Sequence, residues 1–153
     1  MKQFVIIALI IFAAVILASG LSTVSKSKKG VSDIKTELAK DAKNEKSDLI
    51  QLSSPVEDSY IVNPLNIYGS ARGKWYFEGS FPVSLTDDLG NVLGGGIAIA
   101  KGDWTSENFA PFEASLDFKK PESTDKGFLI LKKDNPSGLP ENDDSLKIRI
   151  FFK

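Results

Sequence analysis

The chain has 153 residues and is nearly neutral, with 19 Lys and Arg against 20 Asp and Glu. That length holds one domain together with a targeting segment and a linker. The absence of Cys and His excludes disulfides, thiolate chemistry and Cys-ligated metals, and removes the commonest general base near neutral pH.

Residues 1–21 read as a signal peptide or a single-pass membrane anchor. Lys2 precedes an apolar run from Phe4 to Ala18, and Ala18-Ser19-Gly20 offers small residues for cleavage before Leu21. No charge occurs from Gln3 to Ser25, a run long enough to cross a hydrocarbon core of about 30 Å as a helix. An anchor is favoured over cleavage because Ser22, Thr23 and Val24 extend the uncharged run. Lys26, Lys28 and Lys29 follow the segment, which by the positive-inside rule would leave the domain in the cytoplasm. The signal-like small residues argue the other way, and the domain is expected outside the cytoplasm, at the cell membrane or beyond it.

Residues 22–48 form a polar linker, rich in Ser, Lys, Asp and Glu. Val31, Ile34, Leu38 and Ala42 fall at helical spacing, but the stripe is thin, so a partly helical or flexible stalk is expected. Ser25 to Lys28, and later Ser123 to Lys126, match the Ser-x-x-Lys spacing of serine acyl-enzymes. Neither has the companion motifs, and both read as ordinary stalk and turn residues.

Residues 49–153 change to period two. Leu65, Ile67, Gly69 and Ala71 alternate with polar neighbours, as do Phe81, Val83 and Leu85, then Phe112, Ala114, Leu116 and Phe118, then Leu146, Ile148, Ile150 and Phe152. Each run has the two faces of a half-buried antiparallel strand. Phe128 to Leu131 is continuously apolar and reads as a central strand. Asp87 to Asn91 supplies a hairpin turn, and Gly94 to Gly96 a bulge or bend. About seven strands so separated predict an all-β, antiparallel two-sheet sandwich, with a small barrel as the alternative. The domain holds eleven Lys and Arg against fifteen Asp and Glu. A mildly acidic domain argues against nucleic-acid binding, which needs a clustered basic face.

Three groups of side chains are candidates for a ligand or partner surface. In the loop from Asp134 to Asp144, the oxygens of Asp134, Asn135, Glu141, Asn142, Asp143 and Asp144 could surround Ca²⁺. The spacing is not that of an EF-hand, and Pro136 and Pro140 interrupt it. A rigid loop whose Asn and Asp side chains cap their own backbone is therefore favoured, and no metal or cofactor is expected. Trp75, Tyr76, Phe77 and Trp104 could form an aromatic platform. Period two would turn Trp75 and Phe77 inward and Tyr76 outward, which leaves Tyr76 and Trp104 as surface candidates. Phe109 and Phe112 read as core. Arg72 suggests a structural salt bridge, and Glu78 with Asp117 or Glu113 is the carboxylate pair that a glycosidase would need. No catalytic residue is assigned.

Specific blocks of sequence point further. They run from Tyr68 to Val83 (YGSARGKWYFEGSFPV), from Trp104 to Phe112 (WTSENFAPF) and from Gly127 to Ser145 (GFLILKKDNPSGLPENDDS). Together they resemble the immunoglobulin-like Gmad domain, the second of the germination-associated pair, found in bacterial spore-germination-associated proteins. The resemblance covers Asp48 to Lys153. It implies an immunoglobulin-like fold in a bacterial envelope protein and carries over no catalytic residue.

The expected function is a non-catalytic interaction or structural module. It would be tethered to the membrane through the N-terminal segment and would contact a protein or a cell-wall polymer. A wall-carbohydrate-binding module is the alternative. A hydrolase using carboxylates, or Ser and Lys, is the reading from another class.

Overall fold

A computed structural model describes residues 46–153. The predicted signal peptide or anchor, and the predicted linker up to residue 45, lie outside the described residues. Among the described residues no helix is long and apolar enough to cross a membrane.

The alternating runs form strands where they were expected. In chain order these are β1 (Ile50–Ser54), β2 (Tyr60–Ile61), β3 (Leu65–Arg72), β4 (Ser80–Asp87), β5 (Val92–Ala100), β6 (Phe109–Leu116), β7 (Lys126–Lys132) and β8 (Ser145–Phe152). Side chains of successive strand residues point to opposite faces. Every second residue of β4 (Phe81, Val83, Leu85), β6 (Phe112, Ala114, Leu116) and β8 (Leu146, Ile148, Ile150, Phe152) is buried in one cluster. Burying a large apolar side chain contributes about 1.5–3 kcal/mol, so this shared face carries most of the stability. β7 lies between β4 and β8, and its apolar run is read by the same rule, with Leu129 and Leu131 fully buried.

The strands hydrogen-bond in one continuous order, β1-β3-β6-β5-β4-β7-β8-β2. This differs from the expected two separate sheets of about seven strands. β5 provides the continuity: it pairs with β4 along most of its length and with β6 at Ile99 and Ala100. The eighth strand is β2, which has two residues and pairs with β8 in parallel. Two residues are too few for alternation to reveal, and the parallel pair departs from the all-antiparallel expectation.

The sheet curls strongly. Phe118, just after β6, and Phe152 in β8 have ring centroids 5.7 Å apart. Their strands stand four places apart in the order, about 19 Å on a flat sheet. At the other end, the Lys46 ammonium donates to the Asp144 carboxylate and, at 2.6 Å, to the Ser145 carbonyl. The start of β1 is thereby tied to the start of β8. The contacts of the domain thus reach back to Lys46, inside the stretch expected as linker.

The β4–β5 hairpin turns as its composition suggested. The Asp87 carboxylate accepts from the backbone N–H groups of Leu89 (3.0 Å) and Asn91 (2.8 Å) and from the Asn91 amide (2.7 Å). The register then shifts between Leu85 and Thr86, opposite Gly94 and Val92, which leaves Leu93 as the extra residue beside the triple glycine.

Candidate functional site

Antiparallel pairing collects three loops at one end of the sheet. Residues 73–79 leave β3, residues 101–108 leave β5, and residues 133–144 leave β7. The chain joins the domain at this same end, at Lys46 to Leu49. All the surface candidates named from sequence, Tyr76, Trp104, Asp134, Asn135, Glu141, Asp143 and Asp144, belong to these loops.

Tyr76 is not a surface residue. Trp75 and Tyr76 are both buried, and Phe77 is exposed. Period two fails here because Gly73 to Trp75 form a 3-10 turn rather than a strand. Trp75 meets Phe81 edge-on, with centroids 6.5 Å apart, and Tyr76 packs on the same ring at 5.3 Å. The Tyr76 hydroxyl donates to the Ala110 carbonyl at 2.8 Å. Burial pushes the phenol up to about 12.

Trp104 remains half exposed. Its loop is shaped by Asp103, whose carboxylate accepts from the Thr105 hydroxyl and, at 3.0 Å, from the Thr105 backbone N–H. These bonds, the hydroxyl first, hold the Asp103 carboxyl below its ordinary value. The indole lies against Gly79, which has φ +75°; a Cβ there would come within 2.9 Å of the Trp104 Nε1. Glycine is needed for both the backbone conformation and the close approach.

Arg72 ties two of the segments together. Its guanidinium donates to the Asp48 carbonyl and, at 2.8 Å, to the Glu107 carbonyl. It also lies 4.6 Å above the centre of the Phe109 ring. These carbonyl bonds and the ring contact stand where an ion pair was expected. Phe109 is accordingly half-buried beneath Arg72 rather than in the core cluster.

An open cleft of about 460 Å³ results. It is lined by Leu49, Arg72, Gly73, Lys74 and residues 104–107. Leu49 and Trp104 supply apolar surface, while Lys74 and Glu107, 3.9 Å apart, stand exposed at the rim. Sequence reasoning found Trp104 but missed Leu49 and Lys74. Their proximity depends on strand pairings between distant residues, Ile50 with Ala71 and Arg72 with Phe109, which leave no local signal.

The long loop uses its polar groups on itself. The Asn135 amide donates to the Leu139 carbonyl and the Asp143 carboxylate. The Ser137 hydroxyl donates to Asn135 and accepts from the Asn142 amide. Asp143 faces Lys132 at 3.7 Å, and Asp144 holds Lys46. Among the described residues no group of three or more acidic side chains is placed to hold a metal ion. Asp134 donates its backbone N–H to the Trp75 carbonyl at 3.1 Å, and Glu141 is exposed. None of the five candidates in this loop lines the Trp104 cleft.

The pairing of Glu78 with Asp117 is not assembled either. Glu78 and Asp117 lie at opposite ends of the sheet, because Asp117 follows the far end of β6. Glu113 is ion-paired with Lys101. Ser123 and Lys126 are both exposed, at the end opposite the cleft.

A family model described as the immunoglobulin-like domain of bacterial spore germination, Gmad2, matches residues 49–138, more than half of the chain. The chain belongs to this family. No curated protein and no solved structure matches it. Gmad2 is a family of immunoglobulin-like domains rather than one defined by an enzymatic activity. The matched stretch begins one residue before β1 and ends within the long loop. The Gmad2 match therefore contains the whole cleft, and β8 lies beyond it.

Proposed function

We propose that this protein is a non-catalytic interaction module of the bacterial cell envelope. Its N-terminal segment holds it at the membrane, and its Gmad2 domain lies outside the cytoplasm. The family description and the signal-like residues at 18–20 support the setting, and with it a part in spore germination. The binding surface is the loop end, and its partner is a protein or a wall polymer. One observation carries this reading: the Trp104 cleft, in which an apolar floor is rimmed by paired charges and built from segments far apart in sequence. Such a combination suits recognition, with the floor providing affinity and the rim orientation. In this reading the curled sheet packs as the two layers of an immunoglobulin-like sandwich. The division falls between β6 and β5, where only two residue pairs are hydrogen-bonded neighbours.

The test is cross-linking in intact cells with a photoreactive residue at Ser106 of the full-length protein. A defined adduct that disappears in the Trp104→Ala variant supports the reading; capture unchanged by that variant removes it. Protease accessibility on the same cells, with the mass of the mature N-terminus, places the domain and decides between cleavage and anchoring.

Trp104 also favours the wall-carbohydrate reading, since an indole is a stacking surface for a sugar ring. The chain has two tryptophans, and Trp75 is buried. A change in intrinsic fluorescence on adding soluble wall fragments would therefore report Trp104, and an unchanged spectrum at millimolar fragment speaks for a protein partner.

A further inference from the structure

The charges in the Trp104 cleft do not cancel. Arg72 and Lys74 line it against Glu107, a net +1, on a domain with eleven basic and fifteen acidic residues. Lys74 and Glu107 answer each other across the rim at 3.9 Å, so the uncancelled charge is that of Arg72. The chain's other arginine shows the difference. Arg149 is matched by the Asp58 carboxylate, which takes its Nε and, at 3.0 Å, its Nη2. Arg72 instead meets the carbonyls of Asp48 at Nε and Glu107 at Nη1, and the face of Phe109. Among the described residues no carboxylate is paired with it. A carbonyl satisfies a donor without balancing a charge. A guanidinium has more N–H groups than these two bonds use, and among the described residues its Nη2 has no acceptor.

That cation is held in place. Its carbonyl bonds fix it both to the entering chain and to the loop of residues 101–108. The walls are fixed as well. A Cβ on Gly73 would collide with the carbonyl oxygens of Trp104 and Ser106, so the two segments touch backbone to backbone. Binding here orders little that is not already ordered. Beside the guanidinium, Trp104 offers a flat apolar surface, and Lys74 and Glu107 offer a side-chain donor and acceptor. A peptide would also need partners for its own backbone. The Asp48 and Glu107 carbonyls are engaged by Arg72, and the Thr105 backbone N–H by Asp103. A sugar needs only a surface for its ring and side chains for its hydroxyls.

We propose that the cleft takes an anionic saccharide, with a sugar ring on the Trp104 indole and the oxyanion of that sugar on Nη2 of Arg72. A guanidinium matches a carboxylate or a phosphate in geometry as well as charge. The uncancelled charge selects anionic sugars over neutral ones, and the indole selects sugars over simple anions. This assignment rests on the reading of the cleft as the binding surface, and it names the ligand class that the wall-polymer partner would present there.

The test compares ligands that differ in charge on the unaltered protein. Full-length protein in detergent solution is titrated with a galacturonic acid oligomer and with its methyl ester, then with glucose 6-phosphate and with glucose, and tryptophan emission is followed. The charged member of at least one pair is expected to bind about tenfold or more tightly than its neutral counterpart. The pair that shows the larger ratio tells carboxylate from phosphate. Trp104→Phe is expected to abolish the emission change. Arg72→Lys, which keeps the charge and loses the fork, is expected to weaken the charged ligand and leave the neutral one unchanged. Glu107→Gln, which removes the rim anion, is expected to tighten the charged ligand. Equal affinity within both pairs overturns the proposal. So does an unchanged emission with all four ligands while the Trp104-dependent adduct at Ser106 still forms in cells, and the cleft is then a protein site. Loss of that adduct as well removes the reading of the cleft itself.

Discussion

Phe81 of β4 and Phe112 of β6 meet edge to face, with ring centroids 4.9 Å apart, across the intervening strand β5. Strands two places apart are separated by about 9.6 Å, so the rings close that gap only because Ala98 and Ala100 lie beneath them. This contact joins the two halves of the curled sheet. Trp75 and Tyr76 extend it by packing on the Phe81 ring.

Truncating either ring therefore opens a cavity at the centre of the domain. Phe81→Ala and Phe112→Ala should each cost about 3–5 kcal/mol. Ala98→Leu, which forces bulk under the rings, should cost about 1–3 kcal/mol. Urea unfolding followed by circular dichroism measures all three. A double-mutant cycle should find the two phenylalanines coupled by about 0.5–1.5 kcal/mol.

Gly79 and Gly90 both have positive φ, at +75° and +90°, but only Gly79 is crowded, by the Trp104 indole. Gly90→Ala should cost about 1–2 kcal/mol, from left-handed backbone strain alone. Gly79→Ala should cost more and should shift the Trp104 emission as the indole is displaced. Equal costs and an unchanged spectrum would refute the packing role.

Acid should weaken the β4–β5 hairpin. The Asn91 amide, then the backbone N–H groups of the turn, hold the Asp87 carboxyl below its ordinary value of 3.8. Its contribution is therefore present above about pH 4, the range of an unfolded Asp, and is lost as pH falls through the lower folded value. Asp87→Asn should be less stable at neutral pH. Its unfolding midpoint should also fall less steeply than that of the parent protein below pH 4.

Alkali should act through Tyr76. Its phenol is raised by burial from 10.0 to about 12. The contribution is complete below pH 10 and is lost as pH rises toward and through 12. Tyr76→Phe removes the bond to the Ala110 carbonyl, at a cost of about 0.5–1.5 kcal/mol at neutral pH. Its stability should then be flatter than that of the parent protein between pH 10 and pH 12.

Where a strand is long and one face is buried, the sequence was sufficient. β3, β4, β6 and β8 could be read residue by residue, because a period of two leaves each side chain a single choice of face. The hairpin at Asp87 to Asn91 and the self-capping loop after Asp134 were legible for a related reason: both depend on hydrogen bonds between residues a few positions apart.

Tertiary structure decided what depends on distant pairings. Tyr76 went inward and Phe77 outward because a 3-10 turn broke the alternation and the Phe81 ring offered a site for the phenol. The cleft exists because Arg72 bonds to carbonyls 24 residues before it and 35 residues after it. The triple glycine of β5 and the alternating alanines and isoleucines that follow are plain in the sequence. Which side of that strand is the core is not, because two phenylalanine rings from neighbouring strands take the inward space and leave the isoleucines outside.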